Sequence, residues 1–133
     1  MFKATVAEGP GGRAIAMDSI TQVAPEDAGA IVISGSHGGA SSGEVALEVP
    51  LRAVFFNDAG VGKDGAGIVA LAMLQARGIA AGTVAHTSAR IGDARDAWEN
   101  GALSHCNRFA QALGLAPGAS LRAALEALVR TPV

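Results

Sequence analysis

The sequence contains few aromatic residues and little charge. Phenylalanine, tryptophan and tyrosine make up 4% of its 133 residues, and tyrosine is absent. So few aromatic rings provide no platform on which the bases of a single-stranded nucleic acid can stack. Ten basic and twelve acidic residues give a net charge of −2, with no block of like charge. We therefore predict no nucleic-acid partner, because proteins that bind nucleic acid carry a basic patch or stripe.

Cysteine and long apolar runs are also scarce. Cys106 is the only cysteine, so no intrachain disulfide is possible. Residues 1–9 include Lys3 and Glu8 and lack the apolar centre of a signal peptide. The longest apolar runs, such as residues 68–74, are far too short to span a bilayer. These absences predict a reducing, cytoplasmic compartment and no membrane partner.

The composition is instead rich in small residues. It is 50% hydrophobic, and alanine together with 18 glycines supplies much of the chain. A chain of this length is expected to form one domain, here residues 1–133. Its charged fraction of 17% is lower than the roughly 25% typical of soluble domains. We therefore expect part of its surface to be covered in a homo-oligomer.

Strand and helix patterns alternate over residues 30–110. Short apolar runs predict strands at residues 30–34, 52–56 and 79–86. Apolar spacing and capping residues predict helices at residues 41–49, 64–77, 93–98, 103–113 and 120–130, the second beginning at Asp64 and the last at Ser120. Alternation of this kind predicts βαβ units and a parallel sheet, as in Rossmann-like folds.

The N-terminal segment has a different pattern. Apolar and polar residues alternate over residues 2–8, a glycine- and proline-rich turn follows at residues 9–12, and residues 13–19 can return as a second strand. We therefore predict a three-layer α/β fold with a small, mostly parallel sheet. An N-terminal hairpin lies at one edge of that sheet, and the C-terminus is helical.

Residues 53–67 form the central strand–turn–helix stretch of the predicted fold. A buried strand leads into a glycine-rich turn, where Gly60 and Gly62 allow sharp bends and the close approach of a ligand. Asp58, Lys63 and Asp64 place three charges in that turn. Backbone N–H groups at the start of the following helix favour an anion such as a carboxylate or phosphate.

Polar side chains follow each of the three predicted parallel strands. They are Ser34, Ser36 and His37 after the first, Asn57, Asp58, Lys63 and Asp64 after the second, and His86, Ser88, Arg90 and Asp93 after the third. Ligands of open α/β sheets bind outside the carboxyl ends of the strands, where the strand order reverses. Turns also use glycine, serine, asparagine and aspartate for conformational reasons alone, which leaves a purely structural reading of these residues open.

Two short motifs in these turns resemble known ones. Residues 57–64 are similar in layout to a P-loop, but that pattern has glycine where Asn57 stands and serine or threonine where Asp64 stands. The missing hydroxyl removes a magnesium ligand, and Asp64 would repel phosphate. Residues 34–38 resemble the nucleophile elbow of α/β-hydrolases, with Ser34 replacing the first glycine; Ser36, Asp58 and His86 then follow the order of that family's triad.

Other roles for the same residues remain open. His37, Asp58 and His86 are the residue types of a two-histidine, one-carboxylate metal site, although no short metal-binding spacing supports one. We assign no metal or cofactor. Ser88 and Arg90 are candidates to hold a substrate carboxylate, because a guanidinium can donate to both of its oxygens.

These observations lead to one favoured functional hypothesis. We predict a small enzyme of the hydrolase or lyase type that acts on a small anionic metabolite at the carboxyl ends of the strands. The candidate catalytic residues are Ser36, His37, Asp58 and His86, and the candidate substrate-binding residues are Asn57, Gly60, Gly62, Lys63, Ser88 and Arg90. The alternative is a noncatalytic binding or structural subunit of an oligomeric assembly.

Overall fold

A computed structural model describes residues 1–133 as one six-stranded sheet with helices on both faces. The strands are β1 (Lys3–Gly9), β2 (Gly12–Met17), β3 (Ile31–His37), β4 (Ala53–Asn57), β5 (Ala80–Val84) and β6 (Leu103–Cys106). The α-helices are α1 (Ala40–Ala46), α2 (Val69–Gln75), α3 (Ala94–Asn100), α4 (Arg108–Ala112) and α5 (Leu121–Arg130), and short 3-10 turns occupy Ile20–Gln22, Pro25–Asp27 and Lys63–Gly65. The predicted three-layer α/β fold is confirmed. No helix combines the length and the apolar composition needed to cross a membrane.

The strands lie side by side in the order in which the chain makes them, from β1 to β6. Strands β2 to β5 are parallel, whereas β1 and β6 pair antiparallel at the two edges. The connections β3–α1–β4 and β4–α2–β5 step across the sheet in the same direction. Because connections between parallel strands are right-handed, α1 and α2 lie on the same face of the sheet. Helices α3 and α5 cover the other face, against β1, β2 and β3. The strand order never reverses, so the sheet has no switch point of the kind at which open α/β sheets bind ligands.

The hydrophobic core has two parts, one on each face of the sheet. The central strand β4 contributes to both, because successive residues of a strand point to opposite faces. Phe55 packs in the part covered by α3 and α5, and Phe56 in the part covered by α1 and α2. Both rings are at most 1% exposed. Burial of each ring contributes about 1.5–3 kcal/mol to the stability of the fold, and β4 supplies one ring to each part of the core.

The helix predicted at residues 103–113 was wrong in its first part. Leu103–Cys106 forms strand β6, which pairs antiparallel with β5, and Cys106 is half-buried there. Asn107 ends the strand and caps α4 by accepting a hydrogen bond from the Ala110 N–H (3.0 Å). The buried Asn107 amide also bonds backbone groups of β5 and α2. These tertiary bonds override a local pattern that also suits a helix.

The predicted start of α2 at Asp64 was also wrong. The helix begins at Val69, and Ile68 occupies its N-cap position without a side-chain cap. Asp64 lies in the preceding 3-10 turn with φ of 56°, in the left-handed region. A residue in that conformation cannot begin a right-handed helix, so the glycine-rich turn is longer than the sequence suggests.

Asp18, directly after β2, joins the N-terminal hairpin to the helix layer. Its carboxylate accepts hydrogen bonds from the N–H groups of Ala94 (3.0 Å) and Phe2 (2.9 Å). The bond from Ala94, followed by that from Phe2, lowers the pKa of Asp18 more than its partial burial raises it. Ionised Asp18 therefore stabilises the native state.

We expect Asp18→Asn to lower the free energy of unfolding at pH 7 by about 1–3 kcal/mol, because an N–H group loses its acceptor. A carboxyl whose pKa is depressed by folding stabilises fully above its unfolded pKa of about 4, and this contribution disappears as the pH falls through the lower folded value. The variant and wild type should therefore converge in acid. Urea unfolding at pH 7 and below pH 4 measures this, with Glu99→Gln as an exposed carboxylate control. Equal stability at pH 7 would contradict the role of Asp18.

Candidate active site

The turns after β3, β4 and β5 meet at one edge of the sheet. His37 at the end of β3 lies opposite Asn57 at the end of β4, and the Gly38 N–H donates to the Asn57 carbonyl (3.1 Å). The Asp58 N–H donates to the Val84 carbonyl at the end of β5 (2.9 Å). The candidate residues that follow these strands therefore belong to neighbouring turns.

Asp58 and His86 form the closest pair of ionisable side chains at this edge. Asp58 Oδ1 lies 3.2 Å from His86 Nδ1 and also accepts from the N–H groups of Gly60 (2.8 Å) and His86 (3.1 Å). The Asp58 side chain is 6% exposed, whereas that of His86 is 54% exposed. The imidazole lies over Gly60. A Cβ atom added to that glycine would be 3.6 Å from the His86 ring carbon Cε1, so the ring is in contact with the loop backbone.

The Asp58 carboxylate remains ionised although it is buried. Burial raises its pKa, but hydrogen bonds from the Gly60 N–H, the Ser104 hydroxyl, and the N–H and ring of His86 together lower it below the usual value. An ionised carboxylate can only accept hydrogen bonds, so it requires the His86 proton on Nδ1. His86 Nε2 is then left to accept a proton, because the partner of one ring nitrogen determines the tautomer.

The loop that follows Asp58 has an unusual backbone. Four successive residues have positive φ, namely Ala59 (51°), Gly60 (77°), Val61 (69°) and Gly62 (75°). This conformation suits the two glycines, but in a β-branched residue such as Val61 it is an outlier. Each such non-glycine residue costs about 1–3 kcal/mol, and backbone strain of this size concentrates at functional sites.

Short hydrogen bonds hold this loop closed. Val61 donates to the Asp58 carbonyl (2.7 Å) and Gly67 donates to the Val61 carbonyl (2.6 Å). With Gly60 and Gly62 also bonded inside the loop, none of the N–H groups of residues 60–62 is free to bind an anion. The unused N–H groups are those of the next three residues, Lys63, Asp64 and Gly65.

Two of the candidate residues, Asn57 and Ser88, hold the turns together through their own side chains. Asn57 is 1% exposed, donates to the Ala89 carbonyl and accepts from the Ala59 N–H. The Ser88 hydroxyl donates to the carbonyl of Ala85 (2.7 Å) and accepts from the N–H of Ala102 (3.0 Å). Both side chains therefore have structural partners.

Ser36 is not part of a nucleophile elbow. It lies within strand β3, and its hydroxyl accepts a hydrogen bond from the Ile20 N–H (3.0 Å). A nucleophile elbow instead places its serine on a sharp, strained turn after the strand. No hydrogen bond joins the Ser36 hydroxyl to Asp58 or His86.

His37 and Arg90 lie at the same edge but make no hydrogen bond to the Asp58–His86 pair. The His37 ring packs against Gly39, where a Cβ would stand 2.6 Å from Nε2. The Arg90 guanidinium is 83% exposed and lies 3.8 Å from the Asp93 carboxylate. His37, Asp58 and His86 do not assemble into a three-ligand metal group.

Three cavities of about 410, 230 and 240 Å³ are present, and none is lined by His37, Asp58 or Arg90. These three side chains therefore do not share a cavity. Any ligand of the Asp58–His86 pair approaches from the open edge of the sheet.

The sequence reasoning missed a group of polar side chains that joins β5 to β6. Thr83 Oγ1 on β5 lies 2.9 Å from Ser104 Oγ on β6, and both oxygens lie near His105 Nδ1. One signal was available, because Thr83 is the only polar side chain in the otherwise apolar strand β5. The interpretation of residues 103–113 as a helix hid the contribution of β6.

Comparisons with models of protein families, with curated proteins and with solved structures find no match to this chain. The fold and the contacts of the carboxyl edge are therefore the basis for any functional conclusion.

The strain in the loop after β4 leads to a test with a matched control. We expect Ala59→Gly to stabilise the protein by about 0.5–1 kcal/mol, because a left-handed conformation costs an L-residue more than the extra unfolded-chain entropy of glycine. The same substitution at Ala72, exposed within α2, should destabilise by about 0.5–1 kcal/mol. Thermal and urea unfolding measure both effects. Destabilisation by Ala59→Gly would show that the loop does not hold this backbone in solution.

Proposed function

We propose that the protein is a small enzyme of the hydrolase or lyase type, in which His86 takes a proton from water or from a bound small anionic molecule. The observation that carries this proposal is the hydrogen-bonded pair of buried Asp58 and exposed His86, with 3.2 Å between Oδ1 and Nδ1. A buried carboxylate that orients an accessible imidazole is the arrangement of a general base.

The two members of the pair have different roles in this proposal. Asp58 is almost fully buried, so it acts as the positioning residue that holds the proton on Nδ1. His86 is half exposed, so its Nε2 can reach a ligand at the open edge. When Nε2 takes up a proton, the imidazolium is stabilised by the adjacent Asp58 carboxylate.

Lys63 is the proposed anion-binding residue. It is exposed in the loop that begins at Asp58, and the N–H groups of Lys63, Asp64 and Gly65 have no partner within the protein. A lysine ammonium beside free N–H groups attracts a carboxylate or phosphate. The Asp64 carboxylate opposes that attraction, so an anion must contact Lys63 directly to bind.

A noncatalytic binding or structural subunit is the second candidate. It is favoured by the open edge, since none of the three cavities encloses the Asp58–His86 pair. Enzymes commonly exclude water from the reacting groups. The two candidates differ in whether wild type turns over a small anion or only binds it.

Substitution of His86 tests catalysis. Wild type, His86→Gln and Asp58→Asn are incubated with a panel of small carboxylate and phosphate esters, amides and hydroxy acids, and products are followed by proton NMR. We expect turnover by wild type and a loss of about 10²–10⁴-fold in kcat for His86→Gln, the usual contribution of a general base. Glu44→Gln, at an exposed residue of α1, is the control. Full turnover by His86→Gln would contradict the proposal.

Substitution of Lys63 tests anion binding. We expect Lys63→Ala to weaken the binding of small carboxylates or phosphate by roughly 1.5–3 kcal/mol, because one charge-assisted hydrogen bond is lost. The melting temperature should barely change, since an exposed lysine contributes little to stability. Arg77→Ala removes an exposed cation just beyond α2, at the opposite edge of the sheet, and should leave binding unchanged. Calorimetric titration measures the affinities, and equal affinities for Lys63→Ala and wild type would rule out this role.

A further inference from the structure

Two adjacent cavities lie at the amino edge of the sheet, opposite the Asp58–His86 pair. The larger, of about 410 Å³, is a groove between the end of α4 and the C-terminal half of α5. The smaller, of about 240 Å³, lies between α4 and the start of β5. Arg52, Ala112 and Leu113 line both of them. We call the two cavities together the Arg52 groove.

The walls of the Arg52 groove are mostly apolar. Leu128 of α5 lines the larger cavity, Phe109 of α4 lines the smaller one, and Leu113 lines both. Leu113 is 38% exposed, so a ligand can reach its side chain. Small-molecule sites typically have volumes of about 300–1,000 Å³ and mainly apolar walls. The groove therefore suits the hydrocarbon part of a small molecule.

Arg52 is the only ionisable side chain that lines either cavity. It directly precedes β4 and is half-buried, and it takes part in none of the ion pairs of the chain. A guanidinium has several N–H donors and no acceptor. Within the protein, Arg52 donates only to the Gly11 carbonyl. Its remaining donors and its charge are therefore left without a partner beside an apolar surface.

The turn of the N-terminal hairpin holds Arg52 in place. Gly11, whose carbonyl accepts from Arg52, also donates its N–H to the Val129 carbonyl of α5 (2.8 Å). A Cβ at Gly11 would collide with the carbonyl oxygens of Leu128 and Thr131, so the turn approaches α5 this closely only with glycine. The guanidinium is thus fixed beside α5 before a ligand arrives, which lowers the entropic cost of binding.

We propose that the Arg52 groove binds a small molecule that has a carboxylate and a hydrocarbon chain, of the kind represented by a medium-chain fatty acid. The carboxylate supplies the counter-ion that Arg52 lacks, because a guanidinium can donate to both of its oxygens. The hydrocarbon chain packs against Leu113 and Leu128 and removes their apolar surface from water. This second site is separate from the proposed catalytic pair and does not depend on its function.

The test uses octanoate below the concentration at which it forms micelles, with octan-1-ol as its uncharged counterpart. Calorimetry measures the affinities, and ¹³C NMR of leucine methyl groups locates the site. We expect octanoate to bind wild type more tightly than octanol and to shift the signals of Leu113 and Leu128. Arg52→Gln should weaken octanoate binding about 10- to 100-fold, the equivalent of a lost charge-assisted hydrogen bond, and leave octanol binding unchanged.

The length of the hydrocarbon chain provides a second measurement. Each methylene buried in the groove should tighten binding about fourfold, so hexanoate should bind roughly 15-fold more weakly than octanoate. Binding of the carboxylate at the exposed Lys63 would not depend on chain length. The comparison therefore separates the Arg52 groove from the anion site proposed at the opposite edge.

Arg13→Gln is the matched control. Arg13 is also half-buried and also donates to one backbone carbonyl, that of Glu26. The cavity that Arg13 lines has Ala28 as its one apolar residue, so it has no wall for a hydrocarbon chain. Substitution of Arg13 should therefore leave octanoate binding unchanged.

Leu113 allows a test that leaves Arg52 intact. It is exposed directly after α4, so its substitution does not disturb the core. Leu113→Glu places a carboxylate in the groove, where it pairs with Arg52 and repels octanoate, whereas Leu113→Gln changes the shape without the charge. We expect octanoate to bind Leu113→Glu about tenfold more weakly than Leu113→Gln. This comparison decides the question if Arg52→Gln does not fold.

Each contrary result would overturn the proposal. It would fail if millimolar octanoate did not bind wild type, if Arg52→Gln bound octanoate as tightly as wild type, or if octanol bound as tightly as octanoate. Sedimentation equilibrium is measured alongside. A wild-type dimer that Leu113→Glu dissociates, with no octanoate bound, would assign the groove to a second copy of the chain instead. None of these variants changes Asp58 or His86, so the proposed function is tested separately.

Discussion

The burial of an ionised carboxylate at the end of the central strand is the constraint on which this edge of the molecule depends. Asp58 is 4% exposed, and a charge removed from water must be compensated by hydrogen-bond donors. Those donors come from the loop after β4 and the loop after β5. The carboxylate therefore determines how these two loops meet.

Asn57 and Asp58 act together as the junction of two loops. Each side chain accepts from an N–H group two residues further along the chain, and each also bonds the segment after β5, through the Ala89 carbonyl or the His86 N–H. The strained loop after β4 and the loop that carries His86 are thus attached to adjacent side chains. This attachment explains how left-handed residues persist there and how His86 is held beside Asp58.

Much of the fold was predictable because it depends on local patterns. The hairpin, the parallel strands and the N-cap Ser120 are read from alternation, apolar runs and capping residues. The convergence of the turns was predictable too, since parallel strands end at one edge. Strand β6 was not, because Leu103–Cys106 becomes a strand only through pairing with β5 and through the buried bonds of Asn107.

The sequence by itself determined the fold class and the edge of the sheet at which polar groups collect, because periodicity and turn residues are local properties. Only the tertiary structure decided which of those groups act together. It paired Asp58 with His86, occupied Ser36, Asn57 and Ser88 with backbone partners, and joined Thr83 of β5 to Ser104 of β6. The physical reason is that a buried polar atom takes its hydrogen-bond partner from whichever segment packs against it, and that segment is distant along the chain.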